Sequence, residues 1–452
     1  MGGYNTNNIL LINLPIQTYL QKDFSSDTQY NPSLGLISLG TWLELNGYLA
    51  TVIDLCYHRM PFKEVIDNIE QLQPILIGIS VYTENIDLAK LFAEKIKSVY
   101  PHVPIVLGGP HPTLVPEDGM ESQYVDYIIR KEGESTMLEL VEAIESNEYL
   151  IKLDDIDGLV FKRDGRIIKN KLRKQCTDLD IAPLVKRDLV DLSKYKEIIN
   201  IFTSRGCPGR CIYCSATTLS GATYRVRNIE NVFMEIVMMR ALLNTKVMKI
   251  YIVDDTFTAI PDRVKKFTEL MSEYDPDIYW HCESRIDVMS EELLNLMSEN
   301  KCIAIQYGIE SASQEVLDSI RKGINITKAR KIIDYTYKKK IFLCLSFMVG
   351  HFCDTKDTME ETYLFIKEMY EKYRAEIALS FNTPFPGTWQ HTHKAELGLK
   401  ITADRYKQYS LLDPIVKTDN FTVNDQREIF YKSSKYLARA VKIESLKREW
   451  VK

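Results

Sequence analysis

Apolar runs too short for buried helices alternate with longer amphipathic stretches along most of this chain. "NILLINLP", "TVIDLC", "PILIGISV", "PIVLGG" and "VDYIIRKE" read as strands. Between them, "LGLISLGTWLELNGYLA", "PFKEVIDNIEQLQ", "NIDLAKLFAEKIKSVY" and "STMLELVEAIES" carry apolar residues at helical spacing. Pro61 stands where a helix start tolerates proline. Strands this apolar, separated by helices, predict a parallel sheet covered on both faces. Residues 1–145 are therefore expected to form a doubly wound, Rossmann-like domain that binds a ligand at the carboxyl ends of its strands.

The pattern changes at residues 146–195. This segment is more polar, and "KLDDIDGLVFKRDGRIIKN" predicts a hairpin about Asp164-Gly165. It is expected to be a connector packed between two domains. Alternation resumes in residues 196–395, from "EIINIFTS" to "EIALSFNTPFPGT", with about six strand–helix units. Six is short of the eight of a closed barrel, so a partial (β/α)6 TIM-type barrel is expected. Residues 396–452 read as a mainly helical C-terminal region rich in lysine and tyrosine.

Composition adds limits. A chain of 452 residues with 45% apolar and 26% charged positions reads as an ordinary globular protein, long enough for about two to four domains. A net charge of −5 gives no general nucleic-acid surface, and no apolar run has the length of a membrane span. The N-terminus lacks a secretory pattern, so a reducing, cytoplasmic setting is expected. Gly2 to Thr6 fits the N-myristoylation pattern, although a strand starts immediately afterwards.

Three of the nine cysteines fall within "TSRGCPGRCIYCSA": Cys207, Cys211 and Cys214. Gly206, Pro208 and Gly209 exclude a regular helix and let the backbone wrap closely. Structural zinc wants four ligands, usually in two pairs, and no second pair lies nearby; His391 and His393 are distant. A redox pair needs only two cysteines. An iron–sulfur cluster suits the set better, because three thiolates on four irons leave one iron open to a small molecule. Cys56, Cys302 and Cys344 lie in apolar runs and read as small buried hydrophobes, as do Cys282 and Cys353.

At this point the chain resembles the radical S-adenosylmethionine (radical SAM) enzymes. "CPGRCIYC" matches their CxxxCxxC motif, with the typical aromatic residue, Tyr213, before the third cysteine. "VDDTF", "WHCESRIDVMSEELLNLM", "GIESASQEVLDSIRKGI", "FMVGHFCDT" and "TPFPGT" follow in the family's order. "NPSLGLISLG", "GISVYT", "VLGGPHPT" and "IIRKEGEST" resemble the cobalamin-binding domain that precedes the barrel in one large subgroup. The likeness covers about residues 8–395.

The resemblance implies a 4Fe-4S cluster on Cys207, Cys211 and Cys214 that holds S-adenosylmethionine and, given one electron, cleaves it to methionine and a 5′-deoxyadenosyl radical. In the cobalamin subgroup, methylcobalamin commonly donates a methyl group to the substrate radical. By the same resemblance, Asp254 and Asp255 approach the methionine amino group. Glu283 and Arg285, two apart on a strand, either grip the ligand's amine and carboxylate or pair with each other. Glu310 and Ser311 meet ribose hydroxyls, and Phe347 to Gly350 approach the adenine. In the first domain, Gly108 and Gly109 let the cobalamin nucleotide tail pass, and Ser80 and Thr83 bond its polar groups. "DLCYHRM" spaces Asp54 and His58 too far apart for the Asp-x-His element whose histidine binds cobalt. No histidine is therefore expected below the cobalt, and His111 reads as a loop hydrogen-bonder. A flavodoxin- or ferredoxin-type reductant and a small-molecule or peptide substrate are implied; which substrate is not legible. Tyr406, Tyr409 and Tyr431 either line its pocket or pack against the barrel. Cyclisation or rearrangement without methyl transfer, and a metal-bound scaffold, are the competing readings.

Overall fold

The computed structural model describes residues 7–16, 32–56, 60–146, 152–181, 184–192, 198–245, 248–274 and 277–437. His58, the myristoylation pattern at Gly2 to Thr6, and residues 438–452 of the C-terminal region lie outside the described residues. The chain divides into two compact units that part near residue 195.

The first unit is built on strands β1 (Asn8–Asn13), β2 (Leu49–Asp54), β3 (Leu76–Ser80), β4 (Ile105–Gly108), β5 (Tyr127–Ile129), β6 (Leu159–Arg163) and β7 (Arg166–Lys169). They lie in the order β2-β1-β3-β4-β5-β6-β7. β1 to β5 are mutually parallel. Their apolar runs are buried because helices such as Leu34–Leu45, Ile86–Val99 and Glu134–Glu145 alternate with them along the chain. After β2 the chain returns to the other side of β1, so the winding reverses between β1 and β3. That is the place where doubly wound sheets open a ligand crevice.

The Asp164-Gly165 hairpin forms as expected, with positive φ at both residues (51° and 74°), as its tight turn requires. Its location corrects the expected connector. β6 pairs antiparallel with β5, so residues 159–169 extend the first sheet and belong to that fold. The apolar segment "GLVF" finds its burial on the sheet edge, with Leu159, Val160 and Phe161 all buried.

The second unit starts with β8 (Ile198–Ile201) and a short antiparallel ribbon, β9 (Ser204–Arg205) with β10 (Arg225–Val226). There follow β11 (Met248–Ile252), β12 (Ile278–Ser284), β13 (Cys302–Glu310), β14 (Phe342–Val349) and β15 (Glu376–Phe381). β8 and β11 to β15 make one parallel sheet in strict chain order, the order of the expected six-unit partial barrel. Among the described residues, β8 and β15 do not pair with each other. The helices that link these strands, such as Ile229–Leu243, Pro261–Tyr274, Glu291–Glu299, Ile326–Lys338 and Lys356–Tyr373, give the apolar core its other wall. Beyond β15 lie a short ribbon, β16 (Lys400–Ile401) with β17 (Val416–Lys417), and a helix, Val423–Ser433.

Strand alternation in this second sheet separates a core face from a polar face. In β12, Ile278, Trp280, Cys282 and Ser284 are buried, whereas Tyr279, His281 and Glu283 are partly exposed. In β14, Leu343, Leu345, Phe347 and Val349 are buried, and Cys344, Ser346 and Met348 are partly exposed. Register aligns Glu283 with Gln306 and Gln306 with Cys344 across three strands. Cys344 thus belongs to the polar face, unlike Cys56, Cys282 and Cys302, which are buried.

Candidate active site at the cysteine loop

The cysteine loop leaves β8 at a braced point. The Asp254 carboxylate accepts hydrogen bonds from the backbone N–H of Thr203 (2.6 Å) and of Ser204 (3.1 Å), and from the Thr203 hydroxyl. Arg263 donates to the Thr203 hydroxyl and carbonyl oxygens, both at 2.8 Å. Asp254 is buried, which raises its pKa, and its hydrogen bonds work against that rise. The carboxylate expected near a methionine amine is thus engaged in orienting the strand end. Its neighbour Asp255 is exposed and has no side-chain hydrogen bond among the described residues, so it remains available to a ligand.

Gly206 turns the chain with φ of 94°, where a Cβ would stand 2.3 Å from the Thr223 carbonyl oxygen. Ile212 pins the middle of the loop: its N–H donates to the Ile320 carbonyl at 3.1 Å, and its carbonyl accepts from the Gln390 N–H at 3.0 Å. Each cysteine sulfur has a donor beside it. The Gly209 N–H lies 3.4 Å from the Cys207 sulfur, and the Ala216 N–H 3.4 Å from the Cys214 sulfur. Arg285 Nη1 lies 3.6 Å from the Cys211 sulfur. Among the described residues, no three His, Cys, Asp or Glu side chains converge on a single metal-ion position. Each thiolate of a 4Fe-4S cluster binds a different iron, so a loop of separated sulfurs ringed by N–H donors fits a cluster better than one ion.

Glu283 and Arg285 do not pair with each other. β12 ends at Ser284, so Arg285 leaves the strand. Its guanidinium serves Cys211, Asp287 (3.0 Å) and the Lys322 carbonyl (2.5 Å). Glu283 stays on the polar face and accepts from the Tyr251 hydroxyl. His281 stacks on Tyr251, with ring centroids 4.5 Å apart. Burial raises the Glu283 pKa and pushes the His281 pKa down to about 4. The latter has a stability consequence. In the unfolded chain His281 takes up a proton near its ordinary 6.5; in the folded chain it stays neutral until about 4. The unfolded state binds more protons in that window, so stability is full above it and falls as pH drops through it, by at most about 1.4 kcal/mol per pH unit. A His281→Gln variant is expected to lose less thermal stability than wild type over the same pH range. Parallel melting curves check this, and equal slopes would refute it.

Tyr213, Glu310, Lys322 and His351 come together behind the loop. Lys322 Nζ donates to Glu310 Oε1 at 2.7 Å and to the Tyr213 hydroxyl at 3.4 Å. Burial opposes the Lys322 charge, but Glu310 and the Cys211 sulfur hold its pKa above the ordinary lysine value. Gly308 makes room for this pair, since a Cβ there would lie 2.8 Å from Glu310 Oε1 and 2.9 Å from Lys322 Nζ. Glu310 itself has φ of 69°, a conformation a non-glycine residue rarely adopts outside functional or tightly held positions. Ser311 does not join it. Its hydroxyl lies 3.3 Å from that of Thr362 and accepts from the Ser313 N–H, an internal structural role.

Two expectations at the end of β14 change. Phe347 is buried on the helix side and packs edge-on against Phe365, 5.9 Å between centroids. Gly350 has φ of 88°, and the place of its missing Cβ lies 2.1 Å from Gln426 Oε1. Alternation turns Phe347 away from the polar face, and a residue far along the chain fills the glycine's space. Lys322, Tyr251, His281 and His351 were not expected at the site. Lys322 and His351 both stand within motif stretches, but sequence offers no sign of which way a loop residue points.

In the first unit, polar residues gather at the carboxyl ends of the strands. Asn13 donates to Asp54 at 3.0 Å, and Ser80 aligns with Gly108 in register. Gly108 is open: the nearest atom to a Cβ there is 4.0 Å away, so the backbone offers a cradle at the carboxyl end of β4, one strand from the switch point. Gly109 is not. Its φ is 99°, and a Cβ would meet the Val81 carbonyl oxygen at 2.9 Å. The Thr83 hydroxyl lies 3.2 Å from His111 Nδ1, and His111 Nε2 lies 2.8 Å from Asp118. His111 is thus a buried hydrogen-bonder, as expected, and it takes the Thr83 hydroxyl with it. The open Gly108 beside Ser80 fits the passage of a ligand such as the cobalamin tail.

Two family models match these two units: the B12 binding domain over residues 25–141, and the Radical SAM superfamily over residues 201–366. The chain is a radical SAM enzyme with a cobalamin-binding domain ahead of its radical SAM domain. It is 29% identical over 447 residues to an uncharacterized methyltransferase of Pyrococcus horikoshii, covering 97% of this chain and 94% of the relative. It is 28% identical to the anaerobic magnesium-protoporphyrin IX monomethyl ester cyclase of Rubrivivax gelatinosus, over 86% of this chain and 70% of that one. Among solved structures, the radical S-adenosylmethionine methyltransferase TsrM of Kitasatospora setae, with cobalamin and a [4Fe-4S] cluster bound, superposes with a TM-score of 0.75. That match covers 96% of this chain and 92% of TsrM at 16% identity, a likeness of fold. No helix among the described residues is long and apolar enough to cross a membrane.

Proposed function

We propose that this protein is a cobalamin-dependent radical SAM methyltransferase acting on an unactivated carbon of a small-molecule or peptide substrate. The observation that carries it is the braced cysteine loop: three thiols, each beside an N–H donor, behind which Tyr213, Glu310 and Lys322 interlock. When bound, the cluster and S-adenosylmethionine supply a 5′-deoxyadenosyl radical, and cobalamin supplies the methyl group. The chain's own residues hold and orient these groups. Cys207, Cys211 and Cys214 bind the cluster, and Arg285 places its guanidinium 3.6 Å from the Cys211 sulfur. Asp254 and Arg263 keep the loop root at one position. Asp255 is the exposed carboxylate left for the ligand's amine. Ser80 and Gly108 receive the cobalamin tail. A reducing cytoplasmic setting, a flavodoxin- or ferredoxin-type reductant, and no role for nucleic acid complete the reading.

The cyclase among the relatives supports a second reading, radical cyclisation or rearrangement without methyl transfer. Anaerobic reconstitution with iron, sulfide and hydroxocobalamin separates the two. The methyltransferase reading expects near one cobalamin per chain and S-adenosylhomocysteine formed only when cobalamin is loaded. An intact cluster that yields 5′-deoxyadenosine with no cobalamin bound would favour the second reading. A chain that binds metal yet never cleaves S-adenosylmethionine would sink both and leave a scaffold.

A further inference from the structure

At the end of β14, Phe347 and Gly350 are both occupied by packing, and the polar residue left there is His351. It is fully buried. Its backbone is fixed from both sides: its N–H donates to Asp354 at 2.8 Å, and its carbonyl accepts from the Asp354 N–H at 2.9 Å. Its ring lies 5.5 Å from that of Tyr213, the residue between Cys211 and Cys214 in the cluster loop. Neither ring nitrogen has a hydrogen-bond partner among the described residues. A buried imidazole with both nitrogens unpaired is costly, and a native site keeps such a group where a ligand completes it.

The chemistry of the ring selects the ligand group. Burial pushes the His351 pKa down, so at neutral pH the ring is uncharged, with one N–H donor and one acceptor nitrogen. A carboxylate or ammonium entering this position would be buried without a counter-charge from His351. An uncharged group that both donates and accepts matches it, and in S-adenosylmethionine that description fits the adenine edge and the ribose hydroxyls but not the amino-acid end. We infer that His351 hydrogen-bonds the nucleoside portion of S-adenosylmethionine. The inference rests on the cluster reading above and extends it to a residue outside the cysteine motif.

The test uses the full chain, reconstituted anaerobically, and measures calorimetric binding of S-adenosylmethionine, S-adenosylhomocysteine and free methionine. His351→Ala is expected to keep its iron and sulfide content and its ligand-free electron paramagnetic resonance spectrum. It should bind both nucleoside ligands about tenfold more weakly or worse, with methionine unaffected. His351→Gln, which keeps a donor and an acceptor, is expected to recover part of the loss, and it carries the test if the alanine variant fails to fold. Unchanged nucleoside affinity in cluster-loaded variants would overturn the inference. So would a shifted ligand-free spectrum, which would turn the ring toward the cluster. A wild-type chain that holds its cluster but binds no S-adenosylmethionine would instead overturn the proposed function itself.

Discussion

The chain with Cys207, Cys211 and Cys214 all replaced by alanine retains no iron or sulfide after reconstitution and forms 5′-deoxyadenosine only at background. This is the largest effect expected, because these thiols are the only protein ligands proposed for the cluster and the chemistry begins there. The variant is expected to fold. Cys214 is exposed, Cys207 and Cys211 are only partly buried, and the loop's apolar anchor, Ile212, is untouched. Its melting temperature should therefore match that of the metal-free wild type. Iron and sulfide assays, nucleoside product analysis and circular dichroism read the three quantities separately. Retained iron with retained cleavage would defeat the cluster assignment, whereas a collapsed melting temperature would show only that the loop is needed for folding.

The second large effect is on stability. Gly350→Ala places a methyl group 2.1 Å from Gln426 Oε1 and asks alanine to hold φ of 88°. The backbone part costs about 1 kcal/mol or more. Gln426 is fully buried, and its Nε2 donates to the Val416 carbonyl at 2.6 Å, so moving it breaks a buried hydrogen bond at a further ~1–3 kcal/mol. The sum is about 3 kcal/mol. Shortening the partner separates the two parts. In a cycle with Gln426→Ala, the double variant should be less destabilised than the two single changes added together, by about 1 kcal/mol or more. Chemical denaturation of all four chains gives the coupling. A wild-type-like Gly350→Ala chain, or strict additivity, would mean that the space is not shared as described.

These two predictions differ in how far they were legible in advance. The cysteines announce themselves because a cluster loop is local: ligand spacing and turn-forming glycines lie within one short stretch. The strand–helix alternation is legible for the same reason, since periodicity reports which residues an element buries. The Asp164-Gly165 hairpin was equally plain, although its place on the edge of the first sheet was not, because pairing with β5 joins segments about thirty residues apart.

Assignments at the strand ends fared differently. Thr83 and Gly109 stand just past the expected strand ends, yet His111 takes the hydroxyl of the first and the Val81 backbone fills the space beside the second. Asp254 stands at the expected strand end and turns to Thr203, 51 residues earlier in the chain. Lys322 and His351 enter the site because β13, β14 and the cysteine loop bring their ends together. A side chain just past a strand is free of the two-residue alternation, so its direction depends on the loop that follows and on the partner it meets.

Sequence alone thus determined what is encoded in neighbouring residues: two α/β units, a three-thiol loop and the radical SAM resemblance. Tertiary structure alone decided which polar groups are already paired and which remain for a ligand. It tied Asp254, Thr83 and Ser311 into internal hydrogen bonds, and left Asp255 exposed, Gly108 open and the His351 ring nitrogens without partners among the described residues. The physical reason is that hydrogen-bond partners and close packing are long-range properties, fixed only when distant segments meet and exclude water.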